Sequence, residues 1–163
     1  MNALVSVIMG SRSDWDTMSH AVSTLEELRV PCDARVLSAH RTPDELSAWV
    51  ASAEERGVEV FIAAAGMAAA LPGVVAAQTT APVLGVPMES KLLGGMDSLL
   101  SMVQMPAGIP VGTLAIGKAG AANAAILATQ ILGRVHPEYR ERVERQRADQ
   151  AAAILAHPDP SAG

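Results

Sequence analysis

VEVFIAA, residues 58–64, is apolar at every position but Glu59. A strand with one wet face alternates apolar and polar side chains. A near-continuous apolar run belongs to a strand covered on both faces, the situation of a parallel sheet flanked by helices. The same unit recurs outward from this stretch. Toward the N-terminus, residues 4–9 (LVSVIM) form an apolar run closed by Gly10, and residues 32–37 read as a second strand. Toward the C-terminus, residues 83–86 and 111–116 read as a fourth and a fifth strand. Longer segments lie between the runs. Residues 14–28 place Trp15, Met18, Val22, Leu25 and Leu28 at spacings of three and four, a helical face. Residues 42–56 do the same with Leu46, Trp49, Val50 and Ala53. Residues 71–78 suggest a short helix, 96–102 another, and 119–132 a long Ala-rich one. After His136-Pro137 a charged helix is expected from 138 to about 155.

This alternation predicts an α/β fold: a parallel five-stranded sheet with helices on both faces and a C-terminal helix. Such sheets bind ligands at the carboxyl ends of their strands, near the switch in strand order. No linker, composition shift or repeat marks a second unit, so one domain is expected over 1–156, with a tail over 157–163.

Composition narrows the function. The chain has 163 residues, half of them hydrophobic but only 2% aromatic, so its core is built from Ala, Val, Leu, Ile and Met. The formal net charge is -5 and no basic stripe appears, which argues against nucleic acid as a partner. No apolar stretch reaches the roughly 18 uninterrupted residues of a membrane span. The single Cys32 fits a reducing compartment. A cytoplasmic protein is expected. The helix at 119–132 is apolar or small nearly all round, which leaves two burial sites open, an internal one and a subunit contact.

Two strand ends carry chemistry. After the first comes Gly10-Ser11-Arg12-Ser13-Asp14. The glycine admits close backbone approach, Ser11 and Ser13 offer hydroxyls, Ser13 is placed to cap the first helix, and Asp14 can accept from a sugar diol. After the second comes Ser38-Ala39-His40-Arg41, then Thr42-Pro43-Asp44-Glu45. Thr42 and Glu45 have the spacing of a capping box, and Pro43 suits the first helical position. The helix start favours an anion, and Arg41 adds a planar fork suited to phosphate. A serine pair alone is more often a cap than a ligand grip, and a lone Arg or His is more often surface or structure. Both loops fall at the favoured edge, however, and together they fit a phosphorylated ribose. His40, whose imidazole ordinarily titrates near pH ~6.5, is the candidate proton-transfer group. His20, His136 and His157 read as structural or solvated.

The blocks VIMGSRSDW (7–15), LSAHRTPDEL (37–46), LPGVVAAQTTAPVLGVP (71–87), MDSLLSMVQMPAGIPVGTLAIGKAGAANAA (96–125) and the tail HPDP (157–160) span nearly the whole chain. Through them the sequence resembles the bacterial N5-carboxyaminoimidazole ribonucleotide mutases of purine biosynthesis, a class of the phosphoribosylaminoimidazole carboxylase catalytic-subunit family. The resemblance implies a flavodoxin-like three-layer domain, assembled as a homo-octamer. It implies transfer of a carboxylate from the exocyclic nitrogen of the aminoimidazole ring to ring carbon 4, with CO2 as a trapped intermediate and with no metal or other cofactor. His40 then matches the catalytic histidine. Ser11, Asp14 and Arg41 match substrate-binding positions, and Ser13, Ser38 and Ala39 lie in the same loops. Gly66, Met67 and Leu71 are expected on the substrate side of the loop after the third strand. Backbone donors for the carboxylate are expected around Gly66 and at Gly94 and Gly95. This chain reads Gly66-Met67-Ala68-Ala69-Ala70 where the family commonly has Gly-Gly-Ala-Ala-His, so Met67 adds bulk near the expected pocket. Two other readings stay open: a direct carboxylase of aminoimidazole ribonucleotide using CO2, and a non-catalytic nucleotide-binding module.

Overall fold

The computed structural model describes residues 2–159, so residues 160–163 of the expected tail lie outside the described residues. The elements are β1 (Val5–Met9), α1 (Trp15–Glu27), β2 (Cys32–Val36), α2 (Pro43–Glu55), β3 (Val60–Ala65), α3 (Leu71–Ala76), β4 (Val83–Pro87), α4 (Met96–Val103), β5 (Gly112–Thr113), α5 (Lys118–Leu132) and α6 (Pro137–Ala156). A single 3-10 turn, Arg12–Asp14, leads into α1.

All neighbouring strands pair parallel, in the order β2-β1-β3-β4-β5. The chain steps outward from β1 to β2, returns past β1 to β3, and then proceeds the other way. The switch in direction lies between β1 and β3, and their carboxyl ends flank the crevice where such sheets hold ligands.

β1, β3 and β4 are buried along their full length. Their side chains alternate between two cores, as the two-residue period of a strand requires. Val7, Met9, Ile62, Ala64 and Val86 pack with α1, α5 and α6. Ile8, Phe61, Ala63 and Val83 pack with α2, α3 and Met102 of α4. The result is a three-layer, flavodoxin-like α/β/α fold. The Ala-rich α5 buries Ala121, Ala124, Ala125 and Ala128 against this first core, so internal packing accounts for one of its faces. A side chain at Gly120 would place its Cβ 1.6 Å from Ala115 O, so only glycine lets the first turn of α5 lie that close to the preceding loop.

β5 is shorter than the six residues expected at 111–116. It is an edge strand with one neighbour, and its ladder ends after Leu114 N donates to Gly85 O (2.9 Å). The chain then leaves the sheet so that Gly117 N can reach Pro87 O (2.9 Å) and open α5. α6 is held by Arg142, whose Nη1 donates to Leu28 O (3.1 Å) and Arg29 O (2.9 Å), satisfying carbonyls at the end of α1. His136 pairs with Glu59 at 2.8 Å, a structural link between the head of α6 and the approach to β3. Among the described residues, no helix is long and apolar enough to cross a membrane.

Candidate active site

Because the strands are parallel, every strand-to-helix loop opens on the same edge of the sheet. After β1, Gly10 N still donates to Ala64 O (3.3 Å). Ser11 then caps the 3-10 turn: its Oγ accepts from Ser13 N (3.3 Å), and the Asp14 carboxylate accepts from Ser11 N (3.1 Å). This is a capping box on the 3-10 turn, two residues before the Ser13 cap expected for the first helix. Ser13 does not cap α1; its hydroxyl donates to Ser11 Oγ (2.9 Å) instead. Ser11 Oγ thus accepts two bonds and keeps its own proton free to donate outward.

After β2, Leu37 N donates to Met9 O (2.9 Å) and the chain turns. The capping box expected of Thr42 and Glu45 does not form, because the Thr42 hydroxyl is used elsewhere. It accepts from Ser38 N (2.9 Å) and donates to Ser38 O (3.2 Å), closing the loop on itself. Ala39 packs against the second core, while His40 is exposed. Its ring makes no hydrogen bond or ion pair among the described residues, so both ring nitrogens are open to a ligand.

Arg41 joins the two loops. Its Nη2 donates to Gly10 O (2.9 Å) and its Nε to Ser38 Oγ (3.3 Å). The remaining guanidinium hydrogens stay available. Burial pushes the Asp14 carboxyl above its ordinary range, while the Ser11 amide, the Ser13 hydroxyl and the Arg41 charge pull it down without cancelling the effect. Ser11, Ser13, Asp14, Ser38 and Arg41 are therefore assembled into one constellation, with His40 beside it.

The loop after β3 departs further from expectation. Met67 adopts φ 55, in the left-handed region that disfavours side chains, and is 72% exposed. Within this chain its bulk therefore fills no pocket. Ala69 N donates to Met67 O (2.9 Å) and Ala70 N to Ala68 O (2.7 Å), making a tight turn. Leu71 is 2% exposed and belongs to the core, so its side chain is withdrawn from the edge. Gly94 and Gly95 are not free donors as expected. Gly94 N donates to Ser90 O (2.9 Å) and Gly95 N to Ser90 Oγ (3.1 Å), because both glycines serve a left-handed turn that starts α4.

A cleft of about 550 Å³ adjoins Ser13 and Asp14 and is lined also by Thr17, Glu89, Ile116 and Lys118. Glu89 and Lys118 escaped the sequence reading, although Gly117-Lys118 occupies the same strand-to-helix position as Gly10-Ser11. Another hollow, of about 850 Å³, lies at the amino end of β4, away from this chemistry, with Glu54 its one ionisable lining residue. Among the described residues, no group of three or more His, Cys, Asp or Glu is arranged to hold a metal ion.

Known proteins resemble this chain in sequence and in fold. The chain matches the AIR carboxylase family over residues 4–153. It is 59% identical over 160 residues to the N5-carboxyaminoimidazole ribonucleotide mutase of Pseudomonas aeruginosa, covering 98% of each chain. It is 57% identical over 158 residues to the protein of that name from Escherichia coli K12, covering 97% of this chain and 94% of the relative. It is 53% identical over 159 residues to that of Bacillus subtilis, covering 98% of each. The crystal structure of Treponema denticola PurE shares the fold with a TM-score of 0.87 at 26% identity, covering 95% of this chain and 96% of that one.

Proposed function

The chain belongs to the AIR carboxylase family, and from that premise we propose that it is an isomerase of purine biosynthesis converting N5-carboxyaminoimidazole ribonucleotide to 4-carboxy-5-aminoimidazole ribonucleotide. The observation that carries the reading is Arg41 bound at once to Gly10 O and Ser38 Oγ, because it makes one anion-ready constellation of two loops remote in sequence. In the proposed complex, the substrate phosphate meets the free Ser11 proton and the spare Arg41 donors, while the Ser13 hydroxyl holds Ser11 Oγ in place. The ribose hydroxyls donate to Asp14. The ring then lies toward His40 and Gly66.

The chemistry balances as an isomerisation. The C–N bond of the carbamate breaks, releasing CO2, while a proton passes to the exocyclic nitrogen from His40. Ring carbon 4 attacks CO2 and the new C–C bond forms. His40 takes the proton from carbon 4, which restores the aromatic ring and the starting protonation state. Holding CO2 beside the ring replaces an encounter with an intramolecular step, worth up to about 7–11 kcal/mol in ideal cases. The enzyme needs no metal or organic cofactor in this scheme. It acts in the cytoplasm as a homo-oligomer, an octamer on the family pattern. The exposed apolar residues Leu92, Leu93, Met96, Leu100 and Val103 around α4 support assembly.

The test is incubation with N5-carboxyaminoimidazole ribonucleotide and, separately, with aminoimidazole ribonucleotide and bicarbonate near physiological levels. Efficient turnover of the first alone is expected. Efficient turnover of the second would establish a direct carboxylase, and turnover of neither with retained binding a non-catalytic module. His40→Asn should abolish turnover and leave assembly intact by sedimentation; an active variant would remove His40 from its role.

A further inference from the structure

Ser98 lies in the first turns of α4 and is fully buried, 0% exposed. Its Oγ has no hydrogen-bond partner among the described residues. A helical serine usually escapes that cost by donating to the carbonyl four residues back. This chain uses the device repeatedly: Ser23 donates to Ser19 O (2.8 Å), Thr129 to Ala125 O (2.8 Å), and Ser101, in the same helix, to Asp97 O (2.8 Å). Ser98 does not. Its hydroxyl stands 4.0 Å from the point that a Cβ on Gly66 would occupy, and that point is 3.4 Å from Met88 Cβ. A methyl-sized space therefore separates the end of β3, the end of β4 and the Ser98 hydroxyl. Gly66, next to that space, opens the loop at the carboxyl edge, beside the end of β1.

A small space with one unpaired donor is poor for stability and well suited to a small group that gains charge during reaction. CO2 is apolar and triatomic and tolerates apolar walls. As carbon 4 attacks it, negative charge grows on its oxygens. A donor left unsatisfied in the free protein needs no reorganisation to meet that charge. We propose that Ser98 Oγ donates a hydrogen bond to the carboxyl group in transit, one of whose oxygens enters the methyl-sized space beside Gly66. The proposal rests on the mutase reading and adds to it a residue outside the two phosphate-binding loops.

Two variants test it, with substrate labelled in the migrating carboxyl and turned over in unlabelled bicarbonate. Ser98→Ala removes the donor. Because that donor is buried and unpaired, its loss should leave the melting temperature unchanged or higher. The same variant should release about tenfold more label to the medium per turnover, with free aminoimidazole ribonucleotide accumulating, since a hydrogen bond to a charged group contributes about that factor. Gly66→Ala fills the space. Its φ lies outside the left-handed region and its new methyl meets only ordinary contacts, so it should fold and leak label in the same way. Wild-type label retention in Ser98→Ala would overturn the assignment, and so would a parallel loss of stability and rate, which marks a packing role. Wild-type protein that fails to turn over the labelled substrate would instead overturn the functional reading itself.

Discussion

Met67 offers a direct measurement of backbone strain. Its φ of 55 is a conformation that costs an L-residue about 1–2 kcal/mol, because Cβ crowds the following carbonyl. The turn is held from both sides, by the Ala69 N to Met67 O bond and by the buried Ala69 and Leu71. Replacing Met67 by glycine removes the strain but enlarges the unfolded ensemble, which costs about 0.5–1 kcal/mol. Replacing it by alanine removes the same exposed side chain and keeps the strain. The difference between the two variants therefore isolates φ from everything else the methionine does. Met67→Gly should be more stable than Met67→Ala by about 0.5–1 kcal/mol. For a chain of this size that corresponds to about 1–4 °C in melting temperature. Urea unfolding of both variants at matched protein concentration measures it, which holds any subunit association constant. An alanine variant as stable as the glycine variant, or more so, would show that the loop relaxes and that the strain does not persist in solution.

Other substitutions probe the rest of the framework. Asp14 is protonated more readily folded than unfolded, so its contribution to stability is present below about pH 3.8 and is lost as pH rises through its higher folded value. Asp14→Asn cannot ionise and should gain stability relative to wild type across that rise, read by urea titration at a series of pH values; a gain that shrinks with pH would contradict the burial argument. Gly120→Ala would drive a Cβ to within 1.6 Å of Ala115 O and should cost at least about 3 kcal/mol, seen as a collapsed melting temperature or lost soluble yield. Trp49→Phe breaks the Trp49 Nε1 to Ser6 Oγ bond (3.1 Å) and weakens the stacking of Arg35 and Arg56, at 4.7 and 4.4 Å from the ring centre. It should cost about 1–2 kcal/mol in denaturant unfolding.

Local pattern alone indicated the order and type of the elements and the edge at which sheets of this kind hold ligands. The run at residues 58–64 needs both faces covered wherever it sits, and a helical period is readable within a single segment. That Ser11, Asp14, His40 and Arg41 share one edge follows once the strands are parallel, since every loop that leaves a strand's carboxyl end emerges on the same side. The partner of each polar group was decided by tertiary structure. Thr42 has the spacing of a helix cap, yet its hydroxyl closes a loop on Ser38, because the turn brings that backbone nearer than the helix amides. Gly94 and Gly95 look like free donors until the turn into α4 commits their amides to Ser90. The strand order, the brevity of β5 and the isolation of the Ser98 hydroxyl beside Gly66 come from packing between segments distant in the chain. A few neighbouring residues encode the conformation of their own backbone. Which distant surface meets them is settled by the burial free energy of the whole assembly of helices and strands, and no short stretch of sequence carries that sum.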